Sequence, residues 1–242
     1  MKTLLSWSGG KDSALAFDAL HRGGEHQIAG LLTTLSAEFQ RVSMHGVRID
    51  LVSQQAQCLG VPLVTVEMAP YRNRGAANEA TCPIDLPGNN TYEETMLDAF
   101  ERARAEGVEA IAFGDIFLED LRDYRERLLA RAGLRGVYPL WKRDTRDLLR
   151  DFIAGGWRAI VVCTDDERLD ASWSGREIDA GFALELPGGV DPCGERGEYH
   201  SFVYDGPLFS RPVEFDKGSI VNRAPFTFCD LLPAGELVSA TG

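Results

Sequence analysis

The stretch SWSGGKDS, residues 6–13, holds the densest group of chemically useful side chains in the chain. Gly9 and Gly10 let the backbone approach an anion closely and adopt dihedrals that a Cβ opposes. Ser8 and Ser13 offer hydroxyls, Lys11 adds a full positive charge, and Asp12 supplies a carboxylate able to hold Mg²⁺ or to fix the loop. An apolar run, KTLLSW (2–7), comes before it, and ALAFDALH (14–21) follows with apolar residues at helical spacing. A strand that passes through glycines into a helix presents free amides and the positive end of the helix dipole, as a phosphate requires. The loop lacks the Walker A form, because no glycine stands five positions before Gly10, and it lacks GxGxxG. Two reactions fit such a loop. One grips the end of ATP so that the terminal phosphoryl group leaves; the other grips the β and γ phosphates so that AMP is transferred. A plain strand-to-helix turn with incidental glycines is the alternative.

Three other places carry candidate chemistry. Gly114 and Asp115 end the apolar run EAIAF, on the strand edge where ligands of open α/β sheets collect. Asp115 could orient a ribose, a metal or the substrate. Met44 and His45 fall where a strand-to-helix connection returns over the nucleotide, although a histidine at a helix start can simply cap a carbonyl. GERGEYH (194–200) packs two glycines, two glutamates and a histidine into seven residues. Glu198 and His200 alternate, so in a strand they share a face, and either group could hold or take a proton. A polar hairpin turn explains the same residues. Cys193 has no base dedicated to it and reads as a structural thiol.

The elements that must position these residues follow a regular rhythm. Strand patterns at 2–7, 27–35, 62–68 and 109–116 are separated by helical patterns at 14–21, 47–59, 91–106 and 118–133. Gly60 and Gly133 stop two of the helices, and Thr91 with Glu94 has capping-box spacing. The rhythm predicts a parallel sheet with crossover helices. The Pro-, Gly- and Asn-rich stretch from 70 to 90 is the longest irregular segment, a length that reads as functional or mobile. Near residue 135 the pattern changes: a helix at 145–154 and the strand RAIVVCTDD continue the alternation, then VDPCGERGEYHSFVYDGPLF and VEFDKGSIVNRAPFTF read as strands and hairpins. This predicts two domains, 1–135 for the nucleotide and 136–242 for the substrate. The charges from Glu119 to Arg127 have i,i+4 spacing and read mostly as a solvated helix face.

Composition narrows the partners. With 25 Lys+Arg against 37 Asp+Glu the formal charge is −12, a field that disfavours nucleic acid. Arg143, Arg146 and Arg150 read as a solvated face rather than an RNA patch. No apolar run approaches the roughly 20 residues of a membrane span. The five cysteines are odd in number and lack CxxC or zinc spacing, which points to reduced thiols in the cytoplasm.

SGGKDS has the Ser-Gly-Gly-x-Asp-Ser form of the pyrophosphatase loop, or PP-loop. Together with MHGVR (44–48), QAQCLGVPL (55–63), FGDIFLEDLRDYRE (113–126), YPLW (138–141) and DPCGERGEYHSFVYDGPLF (191–209), it makes the chain resemble the diphthine–ammonia ligase family of PP-loop ATP pyrophosphatases. The resemblance implies a Rossmann-like, adenine nucleotide alpha hydrolase-like parallel sheet with a smaller C-terminal α+β domain. It implies ATP and Mg²⁺, adenylation of an acceptor carboxylate with loss of pyrophosphate, and attack of ammonia to give an amide and AMP. The acceptor it implies is diphthine on elongation factor 2, where the host has it. Ser8, Gly9, Gly10, Lys11, Asp12, Ser13, Met44, His45 and Gly114 are then expected at ATP, with Asp12 at the metal. Lys11, Asp115, Glu198 and His200 are expected to act in catalysis. A non-hydrolysing nucleotide sensor and a PP-loop enzyme acting on tRNA are the rivals.

Overall fold

The computed structural model describes residues 1–42, 45–68 and 90–235. Met44 and nearly all of the irregular stretch from 70 to 90 lie outside the described residues. The first part of the chain runs β1 (Lys2–Ser6), α1 (Lys11–Gly23), β2 (Gln27–Ser36), β3 (Arg41–Val42), α2 (Ile49–Leu59), β4 (Leu63–Met68), α3 (Asn90–Ala105), β5 (Ala110–Ala112), α4 (Glu119–Ala132) and β6 (Arg135–Val137). The second part runs α5 (Thr145–Ala154), β7 (Arg158–Asp165), α6 (Ala180–Glu185), β8 (Tyr199–Asp205), β9 (Phe215–Arg223) and β10 (Phe226–Pro233).

The first sheet is parallel across β4-β2-β1-β5-β6, and the two-residue β3 adds antiparallel to the end of β2. Strand order reverses between β1 and β5, which opens a crevice at their carboxyl ends. Successive side chains in a strand face opposite ways, and the strands use both faces. Leu5, Leu31 and Leu35 join α1 and α2 in one core, whereas Leu4, Leu32 and Ile111 join α3 and α4 in another. Each helix turns a buried apolar stripe to the sheet: Ala14, Phe17 and Leu20 on α1, Met96, Phe100 and Ala103 near the other face. The mixed α/β class with a mostly parallel sheet is thus as the strand–helix rhythm predicts.

The second sheet is antiparallel, in the order β8-β7-β10-β9. The strand RAIVVCTDD continues the alternation in sequence but belongs here, between β8 and β10. Its residues Ala159 to Cys163 are buried, so an apolar run of this kind satisfies either sheet type. The first core does not stop at the sheet boundary: it continues from Leu5, Trp7 and Phe17 to Phe152, Val161, Tyr199 and Phe202. Among the described residues, no helix is long and apolar enough to cross a membrane.

Candidate active site

The glycine loop leaves β1 and is pinned from three sides. β2 takes its first residue: Trp7 N–H donates to Leu32 O at 2.8 Å, and Thr33 Oγ1 donates to Trp7 O at 2.7 Å. From α2, the buried Gln55 accepts from Trp7 Nε1 at 2.8 Å and donates through Nε2 to Gly9 O at 3.0 Å and Val203 O at 2.5 Å. From β8, Val203 N–H donates to Gly9 O at 2.9 Å and Ser201 Oγ accepts from Lys11 N–H at 3.1 Å. Gly9 has φ +83°, and a Cβ there would meet Gln55 Oε1 at 2.9 Å. Gly114, past the end of β5, lies so close that a Cβ would sit 2.9 Å from the backbone C and O of Asp12. The segments that follow the two strands flanking the crevice thus touch, Gly114 against the backbone of Asp12.

Gly10 is the N-cap of α1 and places no side chain over the helix start. Ser8 and Ser13 hydroxyls stand 3.0 Å apart beside it, and Ser8 Oγ accepts from Gly10 N–H at 3.3 Å. The result is a helix N-terminus flanked by two hydroxyls, the arrangement that receives an anion. Lys11 is buried at 2% exposure. Its Nζ donates to Asp12 Oδ1 at 3.0 Å and Oδ2 at 2.9 Å, donates to Cys193 O, and lies 5.2 Å over the Tyr199 ring. Burial pulls the ammonium pKa down, but Asp12, Tyr199 and Cys193 outweigh it and hold the pKa above its ordinary value. The lysine is therefore a permanent cation.

Acidic groups gather on the other side of the loop. Asp115 is buried beside Gly114 with Arg125 Nε 3.1 Å from its Oδ2, and that oxygen has no hydrogen bond of good geometry. Burial raises its pKa, Arg125 opposes this, and Asp12 adds to it. Asp12 is likewise raised, first by burial and against the pull of Lys11. Glu195 accepts at Oε1 from the N–H of Ile116 at 2.8 Å and is pushed up to about 7, by burial first and then by Asp12. Among the described residues, no group of three or more metal-ligating side chains is placed to hold a metal ion by itself.

The two residues paired by alternation in the sequence have separate partners. Glu198 precedes β8, and its Oε1 and Oε2 accept from Asp191 N–H and Arg196 N–H, each at 3.0 Å. It braces the turn that delivers Glu195. His200 turns to His45, ring centroids 4.6 Å apart, while His45 Nδ1 meets Ser201 O at 3.1 Å. Burial, and then Lys11 against the bond to Ser201, brings His45 down to about 4; burial and His45 lower His200 as well. Both rings are neutral at pH 7. Cys193 is buried, with Sγ 3.4 Å from Thr145 O, and burial raises its thiol pKa, so it is a structural group.

Sequence reasoning did not single out Gln55, Ser201, Asp191 or Glu195. Gln55 reads as one member of a helix face, and Glu195 lay inside the GERGEYH segment while alternation drew attention to Glu198. Asp191 accepts from Cys193 N–H at 2.9 Å and from Thr145 Oγ1 at 2.9 Å, a brace that no spacing rule reveals.

Family models for the diphthamide synthase N-terminal domain and C-terminal domain match residues 1–80 and 144–234. A diphthine–ammonia ligase from Bos taurus is 30% identical over 241 residues, spanning 91% of this chain and 85% of the bovine one. The chain belongs to the diphthine–ammonia ligase family. The diphthine–ammonia ligase from Schizosaccharomyces pombe is 26% identical, with 96% of this chain matched to 39% of that longer protein. A solved structure, a U34-tRNA thiolase from Methanococcus maripaludis, is 15% identical over 63% of this chain and 56% of the other at TM-score 0.37, too distant to carry an argument. Membership in the diphthine–ammonia ligase family brings the enzyme class with it: an ATP-dependent carbon–nitrogen ligase, as the motifs implied. The sensor and tRNA readings are not favoured.

Proposed function

We propose that the chain adenylates the carboxylate of diphthine on elongation factor 2 and transfers it to ammonia, releasing pyrophosphate and then AMP. The observation that carries this reading is the uncapped start of α1, set between Ser8, Ser13 and Lys11 at the crevice between β1 and β5. Ser8, Gly9, Gly10 and Ser13 take the β and γ phosphates on amides and hydroxyls, and Lys11 neutralises charge that grows on the leaving pyrophosphate. That leaves the α-phosphate open to the acceptor carboxylate, whose oxygen forms the new P–O bond as pyrophosphate departs. Beside the loop, a cavity lined by Ser6, Thr34, Met96, Phe100, Phe113 and Arg125 suits the adenosine. Gly114 keeps the far wall thin. His45, neutral and bonded to Ser201 O, lies beside Gly10, and the neutral His200 packs against its ring. Met44, expected at ATP, lies outside the described residues.

The buried Asp115 oxygen without a hydrogen bond, together with Asp12, fits Mg²⁺, which binds through one or two carboxylates plus substrate phosphates and supplies charge neutralisation to them. Ammonium must lose a proton before it attacks the acyl-adenylate. Glu195, with its carboxyl near 7, is matched to accept it at neutral pH; His45 and His200, both lowered, are poor acceptors there. Glu198 braces that glutamate. We place the reaction in the cytoplasm, in keeping with the free thiols of Cys58, Cys163, Cys193 and Cys229. The division of labour between residues 1–135 for nucleotide and 136–242 for acceptor is part of the same proposal.

The test is incubation with α-labelled ATP, Mg²⁺, ammonium and elongation factor 2 bearing diphthine. Labelled AMP and stoichiometric pyrophosphate, dependent on the acceptor and abolished by Asp12→Ala, are expected. Labelled ADP would overturn the reading of the loop, and AMP formed equally without the acceptor would overturn the acceptor.

A further inference from the structure

We infer that Arg122, set against the rings of Tyr138 and Trp141, binds the carboxylate of the acceptor and so selects it; this rests on the ligase reading above. The guanidinium carbon of Arg122 lies 4.6 Å from the centroid of each ring. Tyr138 and Trp141 meet edge to face at 5.9 Å, and Tyr138 stacks on Phe113 at 5.6 Å. Arg125, one helical turn along α4, lies 4.1 Å over Phe113 and reaches Asp115. Asp115, Arg125, Phe113, Tyr138, Arg122 and Trp141 therefore form one continuous row past the carboxyl ends of β5 and β6.

What sets Arg122 apart is that its planar donors are unused. Among the described residues its guanidinium has neither a hydrogen bond nor an ion pair, and its neighbour Glu119 is committed to Lys142 at 2.8 Å. Contact with aromatic rings positions a guanidinium without consuming its N–H groups. A fork of this kind matches a carboxylate bidentately. In a chain of net charge −12, a carboxylate approaching the crevice needs a local cation to offset repulsion. ATP phosphates share the same oxyanion chemistry. They are nonetheless served by α1, and the nucleoside cavity lies on the β1 and β2 side of Arg125 and Phe113, whereas Arg122 lies on the β6 side.

The test pairs kinetics with a measurement that needs no acceptor. In the labelled-ATP assay, Arg122→Ala is expected to raise KM for diphthine-bearing elongation factor 2 at least tenfold, leaving kcat and KM for ATP within twofold. Arg122→Lys should recover little, because an ammonium lacks the planar fork that pairs with both carboxylate oxygens. A raised KM for ATP with an unchanged acceptor KM would assign Arg122 to phosphate and overturn the inference, as would wild-type kinetics in Arg122→Ala. Trp7, Trp157 and Trp173 are buried, so Trp141 reports quenching from solution. At low ionic strength iodide should quench the wild type at least twofold more strongly than Arg122→Gln, with acrylamide quenching equal. Equal iodide quenching would overturn the anion site even if ligation proceeds. A difference in iodide quenching without any ligation would instead sink the ligase reading and leave the anion site standing.

Discussion

At the residue scale, Glu195 is the group whose ionisation most directly tracks pH near neutrality. Its folded carboxyl is raised from about 4.5 to about 7, so the fold prefers it protonated. The stability this contributes is complete below about pH 4.5 and lost as pH rises through about 7. Glu195→Gln removes that slope. Relative to the wild type it should gain roughly 1–2 kcal/mol at pH 8 and nothing at pH 4, by urea denaturation at each pH. The same substitution should lower kcat by about 10²–10⁴-fold and flatten the acid limb of the rate profile, since an amide accepts no proton. His200→Asn, by contrast, should leave that limb in place, because a ring already neutral contributes no titration there.

At the element scale, the start of α1 works because other elements keep clear of it or hold it. Gly114, past β5, touches the Asp12 backbone, where a Cβ would be 2.9 Å from two atoms that cannot swing away. Gly114→Ala should therefore push the loop and weaken ATP binding at least tenfold, about 1.4 kcal/mol, by calorimetric titration. Helix α4 shows how context overrides spacing. Its charges read as a solvated face, and Glu119 with Lys142 fits that description. Arg125 does not: it is 18% exposed, paired to Asp115 and laid on Phe113. Spacing of i,i+4 reports which residues share a face, not what lies opposite that face.

For the whole molecule, the second sheet completes the site rather than attaching to it. The edge of β8 bonds the glycine loop through Ser201 and Val203, and Asp230 of β10 clasps the segment bearing His45. Arg41 Nη1 and Arg48 Nη2 meet its two oxygens at 2.8 and 2.9 Å. Burial would raise the Asp230 carboxyl, but the two arginines overcome it and hold the pKa below the ordinary value. Its stabilisation is present above about pH 4 and lost as pH falls below that. Asp230→Ala should cost about 1–2 kcal/mol at pH 7, and the difference from the wild type should narrow as pH falls below about 4, measured by urea denaturation. ATP binding should weaken in parallel, since the clasp holds the loop over Gly10.

Local signals were enough for much of this protein. A phosphate loop is a contiguous object: strand, glycines, hydroxyls and helix start lie within a few bonds of one another, so SWSGGKDS could be read directly. Helix stops at Gly60 and Gly133 and the parallel strand–helix rhythm are legible for the same reason. Tertiary structure decided what distant segments do to one another. Only the docking of β8 against α1 brings Cys193 O to Lys11 and gives Glu195 its amide and its acidic neighbours, which together move its carboxyl toward 7. Alternation paired Glu198 with His200, yet backbone amides of the turn compete for Glu198 and a histidine 155 residues earlier meets His200. Burial and through-space charge set the ionisation of these groups, and neither is a property of sequence neighbours.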